Sequence, residues 1–331
     1  MLLDESERLA LVNFHLPARA FFSFPWETKG AARLLDTRTG DVRDVLLRDE
    51  RMPAGAARTD ELLSVVEVVE RKEVRITARP LASPARWVSR IAVSDLGISF
   101  EGETDVWKRL PRTYDSHFTF RGSDYEYLLV VDVDSESVDV QRLDWYNEDT
   151  YDMGYQGLMG VTEIPGSDVV ILPVQRDSNP ILYDTIKKTI VGKISLADRH
   201  GNPEIQFRRK ALEAWASDYD TLLKLKPGEW QITNQLRLQG GTKKLVAQFI
   251  GNFAFNKDES LCAVARPFSG DIVAVDTERL EVTYLARVGH EPLDVALLSD
   301  GRVFARDWRT PRILHGELHP AVGFDPIPPP A

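Results

Sequence analysis

Three arginines occupy matching places in repeated segments of the sequence. Each follows an apolar run: Arg176 in VVILPVQRDS, Arg266 in LCAVARPFS and Arg306 in VFARDWRT. A planar guanidinium donates paired hydrogen bonds to a carboxylate or a phosphate, so three of them around one opening would hold an anionic small molecule or sugar acid. The alternative is that each pairs with a carboxylate close in sequence, the candidates being, in the same order, Asp177, Asp271 and Asp307.

A histidine and an aspartate near these arginines could move a proton. His290 lies between Gly289 and Glu291, at the start of an apolar segment, and Asp307 directly follows Arg306. An imidazole needs a partner and a pocket within hydrogen-bond reach to act as a general base. Without these, His290 is an ordinary loop histidine.

Aromatic residues provide a second kind of candidate contact. Trp26, Phe268 and Trp308 fall in predicted loops, and Tyr155 belongs to the acidic, aromatic stretch DWYNEDTYDMGYQG at 144–157. Exposed aromatic rings beside carboxylates would stack on a sugar or anchor a protein partner. The composition of 144–157 favours a solvated loop, and the alternative is a rim over an opening.

The elements that would position these residues are short strands. Between residues 250 and 288 the sequence predicts four of them, separated by Asn, Asp, Ser and Gly: Phe253–Phe255, Leu261–Ala265, Ile272–Val275 and Val282–Ala286. Four strands in about 40 residues form a meander that needs further sheets to cover its apolar faces.

A recurring marker shows that this unit repeats. An aspartate, or a residue in its place, stands six positions before an apolar strand residue at Asp36, Asp132, Asp184, Lys224 and Asp276. With one unmarked unit around Val74–Ala78 and a last one at Pro292–Leu318, the units number seven. Repeated four-stranded units of this size build β-propellers.

The repeat resembles the YVTN repeats of the YncE-like seven-bladed β-propellers. The motif is carried by Val275-Asp276-Thr277, Val288-Gly289-His290-Glu291-Pro292 and Ser299-Asp300-Gly301. The resemblance is good over 155–318, fair over 9–48 and poor over 55–125. It implies a fold and not a function, since such propellers include both binding proteins and enzyme subunits.

We therefore predict an all-β protein with one β-propeller domain over 1–331, built from seven four-stranded blades, with six or eight left open. Residues 1–8 form a polar lead-in and 319–331 a Pro-rich tail. The last unit is one strand short, and we expect Leu9–Phe14 to supply it, which would close the ring by pairing the two termini. Met52–Thr59, rich in Ala, Pro and Gly, is predicted as a loop, and Ile205–Ser217 as two strands.

Composition limits the possible functions. The net charge of −10 argues against nucleic acid or an anionic membrane surface as the main partner. The single cysteine, Cys262, sits within a predicted strand, which favours a buried small apolar side chain and a reducing cytoplasm. We expect no membrane span, signal peptide or metal site. The GxSxG elbow, the GxGxxG turn and the P-loop are absent, so no cofactor is evident.

Two functions follow as expectations. The first is a binding or scaffold propeller that presents its loops to a protein or to an anionic small ligand. The second is an enzyme with a pocket at the channel mouth, similar to propeller lactonases, lyases or hydrolases. There Arg176, Arg266 and Arg306 would hold the substrate and His290 or Asp307 would move a proton.

Overall fold

The computed structural model describes residues 2–3, 7–14, 31–44, 51–58, 62–69, 73–80, 87–92, 117–121, 126–132, 137–143, 161–173, 179–196, 204–208, 210–238, 250–308, 310 and 312–321, with the backbone alone in 51–92 and 117–121. The regular elements in this part of the chain are β-strands. Within it, no helix is long and apolar enough to cross a lipid bilayer.

The strands, in chain order, are β1 (Leu2–Leu3), β2 (Leu9–Phe14), β3 (Ala31–Asp36), β4 (Val42–Asp44), β5 (Arg51–Arg58), β6 (Leu62–Val69), β7 (Glu73–Pro80), β8 (Trp87–Ala92), β9 (His117–Arg121), β10 (Glu126–Asp132), β11 (Ser137–Leu143), β12 (Thr162–Glu163), β13 (Val169–Leu172), β14 (Ile181–Asp184), β15 (Thr189–Lys193), β16 (Glu204–Arg208), β17 (Glu213–Asp218), β18 (Thr221–Lys226), β19 (Gln231–Arg237), β20 (Phe253–Phe255), β21 (Leu261–Arg266), β22 (Asp271–Asp276), β23 (Glu281–Arg287), β24 (Pro292–Leu297), β25 (Arg302–Asp307), β26 (Ile313–Glu317) and β27 (His319–Pro320).

These strands form seven separate antiparallel sheets within the described residues. Six follow chain order and contain β1–β4, β5–β8, β9–β11, β12–β15, β16–β19 and β24–β26. The seventh contains β20–β23 and gains a fifth strand, because β27 pairs with β23 from the C-terminal side of the chain. Up-and-down order in every sheet is the arrangement of a propeller blade.

Neighbouring sheets pack face to face, which buries both faces of the inner strands. Trp215 and Leu222 of one sheet pack against Phe253, Val264 and Val273 of the next. Similar clusters join the successive sheets between β10 and β26. Because both faces are covered, the strands contain continuous apolar runs rather than an alternating pattern, as LCAVA in β21 and IVAV in β22 show.

The first sheet packs on the last. Ala10, Val12 and Leu35 form one buried cluster with Leu298 and Phe304. Polar contacts reinforce this packing: Glu7 accepts the N–H and the hydroxyl of Ser299, and Arg302 donates to the carbonyl of Thr37 at 2.6 Å. The two ends of the described chain therefore meet through side chains.

The repeated Asp-Thr pair explains why the units recur. Asp276 Oδ1 accepts the N–H groups of the second and third residues after it, at 2.9 and 2.8 Å, which fixes the turn between the third and fourth strands. Thr277 Oγ1 donates to the carbonyl of Glu259, in the turn between the first and second strands, at 2.8 Å. Asp36–Thr37 and Asp184–Thr185 repeat both contacts. The pair thus ties two turns of a sheet together.

Hydrogen bonds to these carboxylates favour their charged form. The ammonium and the N–H of Lys187 lower the pKa of Asp184 below its ordinary value of 3.8, and the N–H of Thr39 has the largest share in lowering that of Asp36. A lowered carboxyl pKa stabilises the folded state above the unfolded pKa. This contribution is lost as the pH falls below about 4 toward the folded pKa.

Most strand predictions are confirmed. The four strands predicted between residues 250 and 288 appear as β20–β23 with ends that differ by at most one residue. The two predicted within Ile205–Ser217 appear as β16 and β17. The burial predicted for Cys262 is also confirmed, and this burial raises the pKa of its thiol well above the ordinary value. Cys262 is accordingly an unreactive, packed side chain.

Residues 52–58 of the region predicted as a loop at Met52–Thr59 belong to strand β5, so the prediction is wrong there, and Thr59 lies outside the described residues. β5 pairs with β6 along its length and shifts register between Pro53 and Gly55. Proline and glycine are tolerated there because β5 is an edge strand and because the shift relaxes the ladder. The content of Ala, Pro and Gly alone therefore predicts the wrong structure for this segment.

In the fifth unit, the residue that corresponds to Asp276 lies two positions later than predicted. Lys226, not Lys224, takes the place of Asp276, because the N–H of Trp230 bonds to the carbonyl of Lys226 as that of Leu280 does to Asp276. Lys224 lies within β18, where its ammonium stands 5.0 Å from the centre of the Trp215 ring.

The chain ends are paired differently from the prediction. Leu9–Phe14 is a strand as expected, but it pairs with β1 and β3 in the first sheet. The start of the predicted tail is β27, where His319 lies opposite Leu285 of β23. The rest of the tail, 322–331, lies outside the described residues.

The Asp-Thr contact predicts a stability loss on removal of one hydroxyl. Thr277 is fully buried, and Thr277→Val would remove the hydroxyl that donates to the carbonyl of Glu259 in the neighbouring turn. We expect a cost of about 1–3 kcal/mol in the free energy of unfolding, measured by urea titration. Thr233→Val, at an exposed position with a 3.3 Å hydroxyl contact, is the control and should change it by less than about 0.5 kcal/mol. Equal losses in the two variants would contradict this role of Thr277.

Candidate functional site

The candidate site lies where three loops meet. In a four-stranded meander, the turn after the second strand and the link to the next sheet emerge at the same end of the sheet. We call this surface the loop face and define it by Pro267–Gly270, Val288–Glu291 and Trp308. Its loops are joined by backbone bonds, from Gly289 N–H to Gly270 O at 3.0 Å and from Trp308 N–H to Glu291 O at 2.7 Å.

Glycine is needed where two of these loops touch. Gly270 has a φ of +69°, and a Cβ at this position would stand 3.2 Å from the carbonyl oxygen of His290. A side chain there would strain the backbone and press on the neighbouring loop. Gly270 therefore sets the approach of the Pro267–Gly270 turn to the link that carries His290.

Arg266 is held in a buried ion pair at the end of β21. Its Nε and Nη2 each donate to Asp271 at 2.7 Å, and its Nη1 donates to the carbonyl of Leu238 at 3.3 Å. Arg266 and Asp271 lie directly opposite each other in the β21–β22 hairpin, which brings the two charges together. Their side chains are only 7% and 12% exposed. This is the pairing that the sequence offered as the alternative to ligand binding.

Arg306 faces a different aspartate from the one predicted. Its Nε lies 3.5 Å from Oδ2 of Asp294, which occupies the cross-strand position on β24. Adjacent residues of a strand point to opposite faces, so Asp307 is turned away from Arg306. Asn252, directly before the first strand of the neighbouring sheet, donates to Asp294 Oδ1 at 2.5 Å. Asp294 thus links two sheets.

His290 and Asp307 are neighbours. The imidazole Nδ1 lies 3.8 Å from Asp307 Oδ2, longer than a hydrogen bond but close enough for an ion pair when the imidazole is protonated. Asp307 is oriented by the N–H of Thr310, which its Oδ1 accepts at 2.9 Å. The His290 side chain is 55% exposed and that of Asp307 only 2%.

The backbone at His290 is left-handed, as it is at seven other non-glycine residues among those described. Its φ is +53°, and it follows Gly289, whose φ is +69°. Left-handed backbone costs a non-glycine residue of order 1–3 kcal/mol, and such residues concentrate at functional sites. The link between β23 and β24 thus projects the imidazole from a strained position.

An aromatic pair completes the loop face. The rings of Phe268 and Trp308 meet edge to face, with centroids 5.9 Å apart and planes at 78°. Both side chains are half-buried and extend from neighbouring sheets. Their packing holds two loops together while leaving part of each ring at the surface.

The structure thus brings together six of the predicted site residues: Arg266, Phe268, His290, Arg306, Asp307 and Trp308. Arg176, Trp26 and Tyr155 lie outside the described residues. Sequence reasoning missed Asn252 and Asp294, whose contact joins two sheets across 42 positions of the chain. No group of three metal-ligating His, Cys, Asp or Glu side chains occurs among the residues that the structure describes.

Comparison with solved structures defines the class of fold. The β-propeller domain of Cps50 (Swd1) from Myceliophteria thermophila matches with a TM-score of 0.59 at 10% identity, covering 87% of this chain and 90% of that chain. The periplasmic gluconolactonase PpgL from Pseudomonas aeruginosa matches with a TM-score of 0.57 at 13% identity, covering 93% and 96%. The protein therefore has a β-propeller fold.

The comparisons do not extend to a family. No protein-family model matches the sequence, and no curated protein matches it either. Identities of 10% and 13% show the fold alone. The YVTN-like resemblance stays a prediction at the level of family.

The buried pair of Arg266 and Asp271 predicts a large, non-additive effect on stability. Arg266→Met or Asp271→Leu alone would leave a buried charge without its counter-ion, which costs about 3–5 kcal/mol. The double variant should lose less than the sum of the two, as urea unfolding would show. Lys226→Ala, which breaks the exposed pair with Glu229, is the control and should cost at most about 1 kcal/mol. Additive losses would mean that the two side chains act separately.

Proposed function

We propose that the protein is a binding β-propeller that presents its loop face to a protein partner. The observation that carries the proposal is the contrast between its arginines and its aromatic rings. Arg266 and Arg306 face Asp271 and Asp294 within the fold, so their charge is balanced before any ligand arrives. An anionic small molecule would have to compete with these carboxylates.

The aromatic pair of Phe268 and Trp308 is suited to contact a protein partner. Partly exposed aromatic rings on a preorganised surface are frequent anchors of protein interfaces, because they bury a large area at a low cost in side-chain entropy. Phe268 and Trp308 are supported by backbone bonds that join the Pro267–Gly270 turn and Trp308 to the Val288–Glu291 link, and by the packed sheets beneath. Little conformational freedom remains to be lost on binding.

The architecture that goes with this proposal is a ring of seven blades. Its support is the seven antiparallel sheets of the described residues and the packing of the first sheet on the last. In this arrangement the ring closes through side chains rather than by strand exchange. We place the protein in the cytoplasm and assign it no cofactor, nucleic acid or membrane partner.

The proposal predicts that the aromatic pair dominates the affinity. A photo-crosslinking amino acid at Ser269 should capture the partner, and one at Lys187, on the opposite face, should not. With the purified partner, Phe268→Ala or Trp308→Ala should weaken binding by at least about 2 kcal/mol, roughly 30-fold in Kd, by calorimetry. Ile186→Ala is the matched control, because it removes an apolar side chain that is 72% exposed away from the loop face. Unchanged affinity in both aromatic variants would refute the proposal.

The neighbouring pair of His290 and Asp307 favours a second candidate, an enzyme that acts at this face. A buried carboxylate close to an exposed imidazole can orient the ring, as the partner of a general base does. One structural neighbour is, by its name, a gluconolactonase. A lactone or a related ester is therefore the substrate class to examine.

This candidate predicts a turnover that depends on His290. His290→Gln should lower kcat by about 10²–10⁴-fold with little change in KM, measured by hydrolysis of a panel of sugar lactones and esters. His319→Gln, an exposed histidine in β27, serves as the control. Wild-type protein without turnover, or a variant as active as wild type, would leave the binding proposal alone.

A further inference from the structure

The last sheet is one strand shorter than most of its neighbours. It contains β24, β25 and β26, and within the described residues no strand pairs with the outer edge of β26. The chain that follows β26 turns away, because β27 adds to β23 of the preceding sheet. One sheet therefore has five strands and the next has three.

The hydrogen-bond register identifies the groups on this edge. Leu318 N–H bonds to Gly301 O and Asp307 N–H bonds to Arg312 O, both at 3.0 Å. Bonded pairs alternate along an antiparallel ladder, so Leu314 and Gly316 bond inward to β25. The N–H and C=O groups of Ile313, His315 and Glu317 consequently point outward.

Part of this edge lies at the surface. His315 and Glu317 are exposed, whereas Leu314 is buried on the face toward the preceding sheet and Ile313 packs toward the first sheet. An edge strand with outward backbone groups is a template for another strand. The protein already uses this mode once, at the pairing of β27 with β23.

The charges along β26 favour one occupant, a second copy of the same strand. In a new antiparallel pair, the residues whose backbone N–H and C=O groups point outward must lie opposite each other. This condition leaves few possible registers. With a two-fold axis at Gly316, His315 of each copy faces Glu317 of the other, so an imidazole N–H can donate to a carboxylate twice. An axis at His315 would instead place the two imidazoles opposite each other.

We propose that the protein forms a homodimer in which β26 pairs with β26 of a second copy about an axis at Gly316. The pairing joins two three-stranded sheets into one of six strands. The contact is a single short strand, smaller than a standard protein interface, so the dimer dissociates on dilution. This proposal does not depend on the loop face.

The test is a charge exchange across the axis. His315→Glu places two carboxylates opposite each other, and Glu317→Arg replaces the acceptor with a second donor. Each single variant should raise the dimer Kd by about tenfold or more, since like groups face each other twice. The double variant restores opposite charges and should recover dimerisation. Sedimentation velocity over a concentration series measures all four proteins.

Two controls separate a lost interface from a damaged fold. The melting temperature of each variant should stay close to that of the wild type, because both positions are exposed. Glu281→Arg carries the same charge change on the exposed start of β23 and should leave the dimer unaffected. A wild-type protein that is monomeric at every concentration overturns the proposal. So does a dimer that both single variants preserve, or one that the double variant fails to restore.

Discussion

A sheet that lies between two others must have both of its faces covered by them, and the rest of the structure depends on that requirement. A single meander would expose one apolar face to water, at a cost of roughly 25 cal/mol for each Å². The clusters around Trp215, Leu222 and Ala263 lie between sheets, not within one. Chemistry is consequently restricted to the loops, where the chain leaves the packed layers. The Asp-Thr turns secure the opposite end.

The sequence predicted the strands well because a strand and the turns that bound it are encoded within a few consecutive residues. β20–β23 are bounded by Asn, Asp, Ser and Gly, and the apolar runs between them have the length of a strand. The failures have physical causes. β5 contains Pro53 and Gly55, which an edge strand tolerates at a register shift. The turn at Lys226 has no Asp-Thr pair, so the marker was aligned two residues too early.

Only part of the candidate site could be predicted from the sequence. The pair of Arg266 and Asp271 is local, since a hairpin brings its two ends together, and the sequence offered it as an alternative. The link from Asn252 to Asp294 and the pairing of β27 with β23 join distant segments, and no local pattern encodes them. The arginines stabilise the fold by joining neighbouring segments. Arg266 ties β21 to β22 and to the carbonyl of Leu238, which ends the preceding sheet. Their fixed positions give the loop face its rigidity.

The crossing of β27 onto another sheet bears on how the molecule comes apart. After β26, the chain bonds to Leu285 and Tyr284 on the rim of the sheet before it. The final sheet cannot separate fully from the preceding one while β27 stays paired with β23, so β27 must be released first. A force applied to the chain after Ala321 therefore reaches the two-residue strand β27 before it reaches β26 and the buried core.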